Sequence, residues 1–256
     1  MKPFRQKQTR PKKSSLVVGK INVLTALQQG KDLERIYMQS TLHGDVAEEL
    51  KKLAFKNNVP VNNVPVEKLN SFNVSNHEGV IALISKVQYQ DLQNVISFIT
   101  EKGEAPLLLM LDGITDIRNI GGIARTAFCC GVHAIIIPEK GVGALNEDAI
   151  LTSAGALEKI AVCRVNSLMK AVDDLHLNGI KVYASEMTAS ITIDKVDFNE
   201  PCCIVMGGEE KGIYPALMKI CDEKIKIPMR GDFESLNVSV ATGMILYEAM
   251  KQRLNV

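Results

Sequence analysis

Between residues 107 and 254, short runs that are almost wholly apolar alternate with helix-patterned segments, and this alternation narrows the possible folds more than any other feature. Runs at 107–111, 134–137, 161–165, 181–184, 202–206 and 224–227 read as strands, and 120–130, 147–154, 168–177, 214–221 and 238–254 read as helices. A strand without a polar face must be covered on both sides. The expected class is therefore α/β, with a parallel sheet between two layers of helices. A smaller α/β series precedes it, with helices at 21–29 and 45–57 and strands at 33–39, 59–61 and 79–87. In the second of those helices Val46, Leu50, Leu53 and Ala54 share one face. The expected organisation is a basic tail over 1–13, a small α/β domain over 14–88, a connection with a helix over 89–105, and the main domain over 106–256.

Composition excludes several classes. No run of about 18 apolar residues is present to span a bilayer. The six cysteines form no Cys-x-x-Cys pair, and most sit in apolar runs, which favours buried reduced thiols over zinc or disulfides. The four histidines share no metal-ligand spacing, so a metal-free, cytoplasmic protein is expected. A net charge of +1 hides an asymmetry: Met1 to Gln90 carries +7, and Asp91 to Val256 carries −6. A basic half of this kind fits contact with a polyanion. Six of the basic residues precede Ser14; a solvated tail or an organellar targeting peptide is an alternative, but the segment is short and lacks an apolar amphipathic face, and an RNA-contacting arm is the expected reading.

Three segments carry the chemistry: Leu111-Asp-Gly-Ile-Thr-Asp-Ile-Arg-Asn-Ile-Gly-Gly-Ile-Ala-Arg-Thr-Ala127, Ile204-Val-Met-Gly-Gly-Glu-Glu-Lys-Gly-Ile213, and the stretch from Ile227 through Ser235-Leu236-Asn237 to Gly243. In the last, a short strand runs into a glycine-bearing loop and then a long helix. The first amides of a helix have no partner inside it, so such a start suits either a polar ligand or an ordinary Ser/Asn cap. Gly207 and Gly208, ending a buried strand, fit a tight turn or a backbone that a ligand approaches closely. Arg125, six residues after Asn119, reads by itself as a helix-surface arginine in a salt bridge. Asp112 and Asp116 read as turn and cap residues. No Gly-x-Gly-x-x-Gly follows a strand, which argues against a Rossmann-type enzyme.

Taken in order, Asn119-x-Gly121 with Arg125, then Gly207-x-Glu209-x-x-Gly212, then Ser235-Leu236-Asn237-Val238-Ser239 resemble the three motifs of the SpoU (TrmH-type) RNA 2′-O-ribose methyltransferases of the SPOUT class. The resemblance spans about 105–254, with a weaker match to the family's substrate-binding domain over about 14–88. It implies a C-terminal trefoil knot, which general topology rules would not predict. It implies S-adenosylmethionine as donor, held through backbone groups of Gly207, Ile227 and Leu236, and a catalytic set of Asn119, Arg125, Glu209, Ser235 and Asn237. The branch it looks most like acts on a guanosine of large-subunit ribosomal RNA, with a tRNA methyltransferase or a catalytically silent ribosome-assembly factor as alternatives. The loop at Ile114-Thr-Asp-Ile-Arg118 departs from the family's commoner proline-containing version.

Arg125 as a general base is chemically awkward, because a guanidinium is always charged and accepts nothing. Holding the 2′ oxygen and a nearby phosphate suits it better, the proton leaving to phosphate or water. Glu209 is expected to anchor Arg125 or the loop after Met206. Lys12, Lys13, Lys20, Arg35 and His77 are candidate RNA contacts, although a turn histidine with its bonds satisfied explains His77 equally well. The last helix is apolar nearly all round its first half (Val238, Val240, Ala241, Met244, Ile245, Leu246, Tyr247), so a homodimer through this domain is expected.

Overall fold

The computed structural model describes residues 15–231 and 235–254, which fall into two compact units divided between Ser85 and Lys86. The smaller unit runs β1 (Leu16–Val18), α1 (Lys20–Gln28), β2 (Leu33–Gln39), α2 (Asp45–Lys56), β3 (Val61–Val64), α3 (Val66–Asn70) and β4 (Val80–Ile84). Its sheet has the order β1-β4-β2-β3, with β4 antiparallel to β1 and β2, and β3 parallel to β2. In β2, Ile36 and Met38 alternate inward and a register shift between Leu33 and Arg35 leaves Leu33 buried too; the three pack with Val23 and Leu27 of α1 and with Leu50 and Ala54 of α2. The short strand expected at 59–61 lies instead at Val61–Val64, because Val59 and Pro60 are buried on the way in. β1 and α3 are too short, at 3 and 5 residues, to carry a periodic signal.

The larger unit runs α4 (Leu92–Glu101), β5 (Leu107–Asp112), α5 (Ile117–Cys129), β6 (Ala134–Pro138), α6 (Glu147–Thr152), β7 (Ala161–Val165), α7 (Leu168–Leu177), β8 (Lys181–Ser185), β9 (Ile191–Thr192), β10 (Cys202–Gly207), α8 (Pro215–Ile220), β11 (Glu223–Lys226) and α9 (Val238–Arg253). Its sheet has the order β7-β6-β5-β10-β8-β11-β9, and every pairing is parallel. Period-two alternation sorts β5 cleanly. Leu107, Leu109 and Leu111 face a layer with Ile120 and Ile123 of α5 and Ile245 and Leu246 of α9, while Leu108 and Met110 face Ile96, Val172 and Leu217 of α4, α7 and α8. All five are fully buried, which is why the strand reads as an uninterrupted apolar run. The segment expected as a connection, 89–105, carries α4, whose Leu92, Val95, Ile96 and Ile99 belong to that second layer.

Two features of this architecture bring the motif-bearing loops together. β10 enters between β5 and β8, and its last residue, Gly207, pairs with Asp112 at the end of β5, so the loops after these two strands leave the sheet side by side. α5 and α9 pack closely through small residues. A Cβ on Gly122 would sit 3.5 Å from the Cβ of Ser239, and one on Gly243 would sit 3.6 Å from Cγ2 of Thr126. The far end of α9 is held by Arg253, which donates to the carbonyl oxygens of Phe198 (2.7 Å), Glu200 (3.0 Å), Pro106 (3.1 Å) and Ala105. Among the described residues no helix is long and apolar enough to cross a membrane.

Candidate active site

Parallel strands put all their C-terminal ends on one edge of a sheet, and there loops can assemble side chains distant in sequence. At this edge the three motif segments meet. Asn119 lies in the first turn of α5, Glu209 two residues beyond β10, and Asn237 at the N-cap of α9. The Nδ2 of Asn237 donates to Oε1 of Glu209 at 2.6 Å and to Oδ1 of Asn119 at 3.1 Å. The Nδ2 of Asn119 donates to the same Glu209 oxygen at 3.1 Å. The trio spans sequence separations of 90, 28 and 118 residues, so only the tertiary fold creates it.

The cap fixes which way the amides point. Backbone N–H groups can only donate, and those of Ser239 (3.0 Å) and Val240 (3.4 Å) converge on Oδ1 of Asn237. Oδ1 therefore faces the helix, and Nδ2 faces Glu209. The mouth of α9 is accordingly not an open row of amides. Two of them are already satisfied by the cap, and the ordinary capping role exists together with the trio. Ser239, whose hydroxyl also donates to Oδ1 of Asn237, joins the site without any signal in the sequence beyond its place in the third motif.

Arg125 stands elsewhere on α5. Six residues from Asn119 is about 120° round the helix and about 9 Å along it. It is exposed and forms no ion pair among the described residues, so neither the surface salt bridge nor an anchoring bond to Glu209 is found. Glu209 instead holds the two amides. Ser235 is exposed on the approach to α9, and Leu236 is partly buried beside the cap. Ile227, just beyond β11, packs against the core on the α5 side of the sheet.

The glycines that end β10 have a clear physical requirement. A Cβ on Gly207 would collide with the backbone of Gly212 and Ile213, and one on Gly208 with the carbonyl oxygen of Gly113. What closes on them in this structure is the chain itself, as the 208–212 loop folds back through a Gly208–Gly212 bridge. Asp112 accepts the Tyr214 amide at 2.7 Å, tying the end of β5 to the start of α8, a long-range role where the sequence suggested a local turn. Asp116 caps α5 by accepting the Arg118 amide at 2.9 Å, and hydrogen bonds from Arg118 hold its carboxyl below the usual range.

The remaining candidates lie in the smaller unit or outside the described residues. His77 has both ring nitrogens engaged, Nδ1 accepting the Gly79 amide at 3.0 Å and Nε2 lying 3.0 Å from Oδ1 of Asn70. That is the satisfied turn histidine. Lys20 opens α1, where its amide donates to Glu78, and Arg35 is half-buried on β2. Lys12 and Lys13 lie outside the described residues.

Fold, motif order and trio define a class, and comparison with known proteins gives the family. Residues 106–247 match the SpoU rRNA Methylase family, and residues 16–90 match the RNA 2′-O ribose methyltransferase substrate-binding family. The chain belongs to the SpoU rRNA methylase family and is an RNA methyltransferase. It is 34% identical over 238 residues to a putative TrmH family tRNA/rRNA methyltransferase, YacO, of Bacillus subtilis, covering 93% of this chain and 95% of that protein. The SpoU methyltransferase AviRb of Streptomyces viridochromogenes, solved in complex with AdoMet, superposes with a TM-score of 0.60 at 24% identity, covering 99% of this chain and 96% of that one. A TrmH/SpoU tRNA modifying enzyme of A. aeolicus gives 0.52 at 28% identity, covering 64% of this chain and 85% of that one.

Proposed function

We propose that this protein uses S-adenosylmethionine to methylate the ribose 2′-hydroxyl of a structured RNA, with a guanosine of large-subunit ribosomal RNA as the target, in the cytoplasm. The observation that carries the reading is the Asn119–Glu209–Asn237 trio, one member from each motif, closed by hydrogen bonds at a sheet edge. The match of residues 106–247 to the SpoU rRNA Methylase family supports ribosomal RNA as the substrate.

The residues at this edge fit the donor. Ile227 follows β11 and Leu236 precedes α9, and both offer partly buried apolar walls. Leu236 adjoins Asn237 and Gly207 lies two residues before Glu209, so the donor positions border the trio. When bound, S-adenosylmethionine supplies a methyl group on a positively charged sulfur. Gly207, Ile227 and Leu236 hold it through backbone groups. Asn119 and Ser235 orient the ribose, since amide and hydroxyl groups both donate and accept, and Asn237 positions Asn119 and Glu209. Arg125 binds the flanking phosphate and stabilises negative charge developing on the 2′ oxygen. Lys20, Arg35 and the basic residues Lys12 and Lys13 contribute phosphate contacts, which position RNA without reading its sequence.

Two architectural features belong to the same proposal. The chain after Met206 passes through a loop to form a trefoil knot, supported by the insertion of β10 between β5 and β8 and by the tight closure on Gly207 and Gly208. Two copies pair through α9, supported by its exposed apolar stripe.

The test is transfer of tritium from labelled S-adenosylmethionine to total RNA lacking this modification, followed by nucleoside mapping. Label in 2′-O-methylguanosine of large-subunit RNA is the expected result. Label in tRNA keeps the chemistry and overturns the substrate. No label in any RNA, with donor binding demonstrated, leaves a silent RNA-binding protein.

A further inference from the structure

We propose that Oε2 of Glu209 accepts the proton of the hydroxyl being methylated, with Asn119 holding that hydroxyl's oxygen; this rests on the 2′-O-methyltransferase function proposed for the same site. Hydrogen-bond capacity within the trio is nearly all spent internally. An asparagine amide has two N–H donors and one oxygen, and a carboxylate has two oxygens and no donor. Both N–H groups of Asn237 are used, one on Glu209 Oε1 and one on Asn119 Oδ1, and its oxygen is used by the Ser239 and Val240 amides. Asn119 spends its oxygen on Asn237 and one N–H on Glu209 Oε1. Oε1 of Glu209 thus takes two donors.

Three capacities are left in the trio among the described residues: the second N–H of Asn119, a second lone pair on its Oδ1, and Oε2 of Glu209, which takes no donor and alone of the three belongs to a carboxylate. The open N–H of Asn119 beside Oε2 of Glu209 is the complement of a hydroxyl, which offers a lone pair and a proton. A phosphate would meet the carboxylate with repulsion, and a carbonyl would leave the acceptor unused. The acceptor is anionic and exposed, so it can take a proton and pass it to water. In the balanced step the 2′ oxygen forms a bond to the methyl carbon, the carbon–sulfur bond breaks with its electron pair going to the sulfonium sulfur, and the hydroxyl proton moves to Oε2. Charge on the sulfonium and on the carboxylate is neutralised together. Arg125, which cannot act as a base while charged, keeps the electrostatic role.

Glu209→Gln separates proton acceptance from structural support. The glutamine oxygen still receives both amide N–H groups, and its NH2 replaces Oε2 with a donor. The expected result is a single-turnover rate lower by about 100-fold or more, in line with loss of a general base, with S-adenosylhomocysteine affinity and melting temperature unchanged. A second measurement needs no donor: binding of an RNA fragment spanning the nucleotide mapped by the labelling experiment, made with 2′-hydroxyl or 2′-deoxyribose there. Wild type is expected to prefer the hydroxyl fragment by about tenfold, as for a hydrogen bond to a charged group, and Glu209→Gln to lose the preference. A Glu209→Gln enzyme within threefold of wild type, with Glu209→Ala inactive, would show that Glu209 only holds the amides and would overturn the inference while leaving the methyltransferase reading in place. No label from the wild-type protein overturns the reading itself, and this inference with it.

Discussion

Asn237 does two jobs through one side chain, and the split between its atoms makes its removal informative. Its oxygen caps α9, and its nitrogen closes the trio. Asn237→Ala should lower stability by about 1 kcal/mol, as expected for a lost cap, and should also lower methyl transfer by far more than that change explains. Asn237→Asp restores the cap oxygen but sets a second carboxylate against Glu209, so stability should recover at most in part while activity stays low. Urea denaturation alongside single-turnover kinetics separates the two effects, and an alanine variant of full activity would remove Asn237 from the site. Arg125 offers the opposite case. It is exposed and holds no ion pair among the described residues, so Arg125→Ala should leave the melting temperature unchanged. Methyl transfer should nevertheless be lost with RNA binding within a few-fold, as measured by filter binding, and retained activity would refute its assignment. These two positions show the limit of local reading. A capping Asn and a surface Arg are both visible in sequence, but the hydrogen bonds from Asn237 to residues 118 and 28 positions away are not.

Six of the seven strands of the larger unit were legible because a doubly covered strand has no polar position to blur the pattern, whereas β9, of two residues, was missed. The same burial gives them a pH signature. Burial pushes the Cys163 thiol of β7 up to about 12 and that of Cys202 on β10 up to about 11, and lifts Cys203 well above its ordinary value of 9.0. In the unfolded chain these thiols ionise as the pH passes about 9, whereas in the fold they stay neutral. A group whose folded value is raised contributes stability that is present below the unfolded value and lost on rising through the folded one. Stability should therefore fall between about pH 9 and 12, read as a declining urea midpoint, and the fall should shrink in a Cys163→Ala/Cys203→Ala variant. An equal fall in both proteins would place the alkaline sensitivity elsewhere. Elements with a weaker pattern were misplaced or missed. The β3 strand lies two residues later than periodicity suggested, and the three residues of β1 carry too little pattern to show at all.

Across the whole larger unit, α9 buries Val238, Thr242, Ile245, Leu246 and Ala249 inward. It leaves Val240 53% exposed, Met244 43% and Tyr247 59%, a stripe at spacings of four and three residues. If two copies pair there, Met244→Glu/Tyr247→Glu should yield a monomer by sedimentation at the same concentration, and a dimer persisting in that variant would put the interface on another face. Periodicity, and residue types at fixed spacing, were enough to establish the α/β class, the parallel sheet, the order of the three motifs and the apolar character of α9. The assembled fold was needed to show that β10 lies between β5 and β8, that Gly207 is a glycine because Gly212 and Ile213 close on it, and that Glu209 holds Asn119 and Asn237 and not Arg125. The reason is physical: propensity and patterning act over a few residues, whereas strand order and hydrogen bonds between segments up to 118 residues apart exist only once the sheet has brought its loops to one edge.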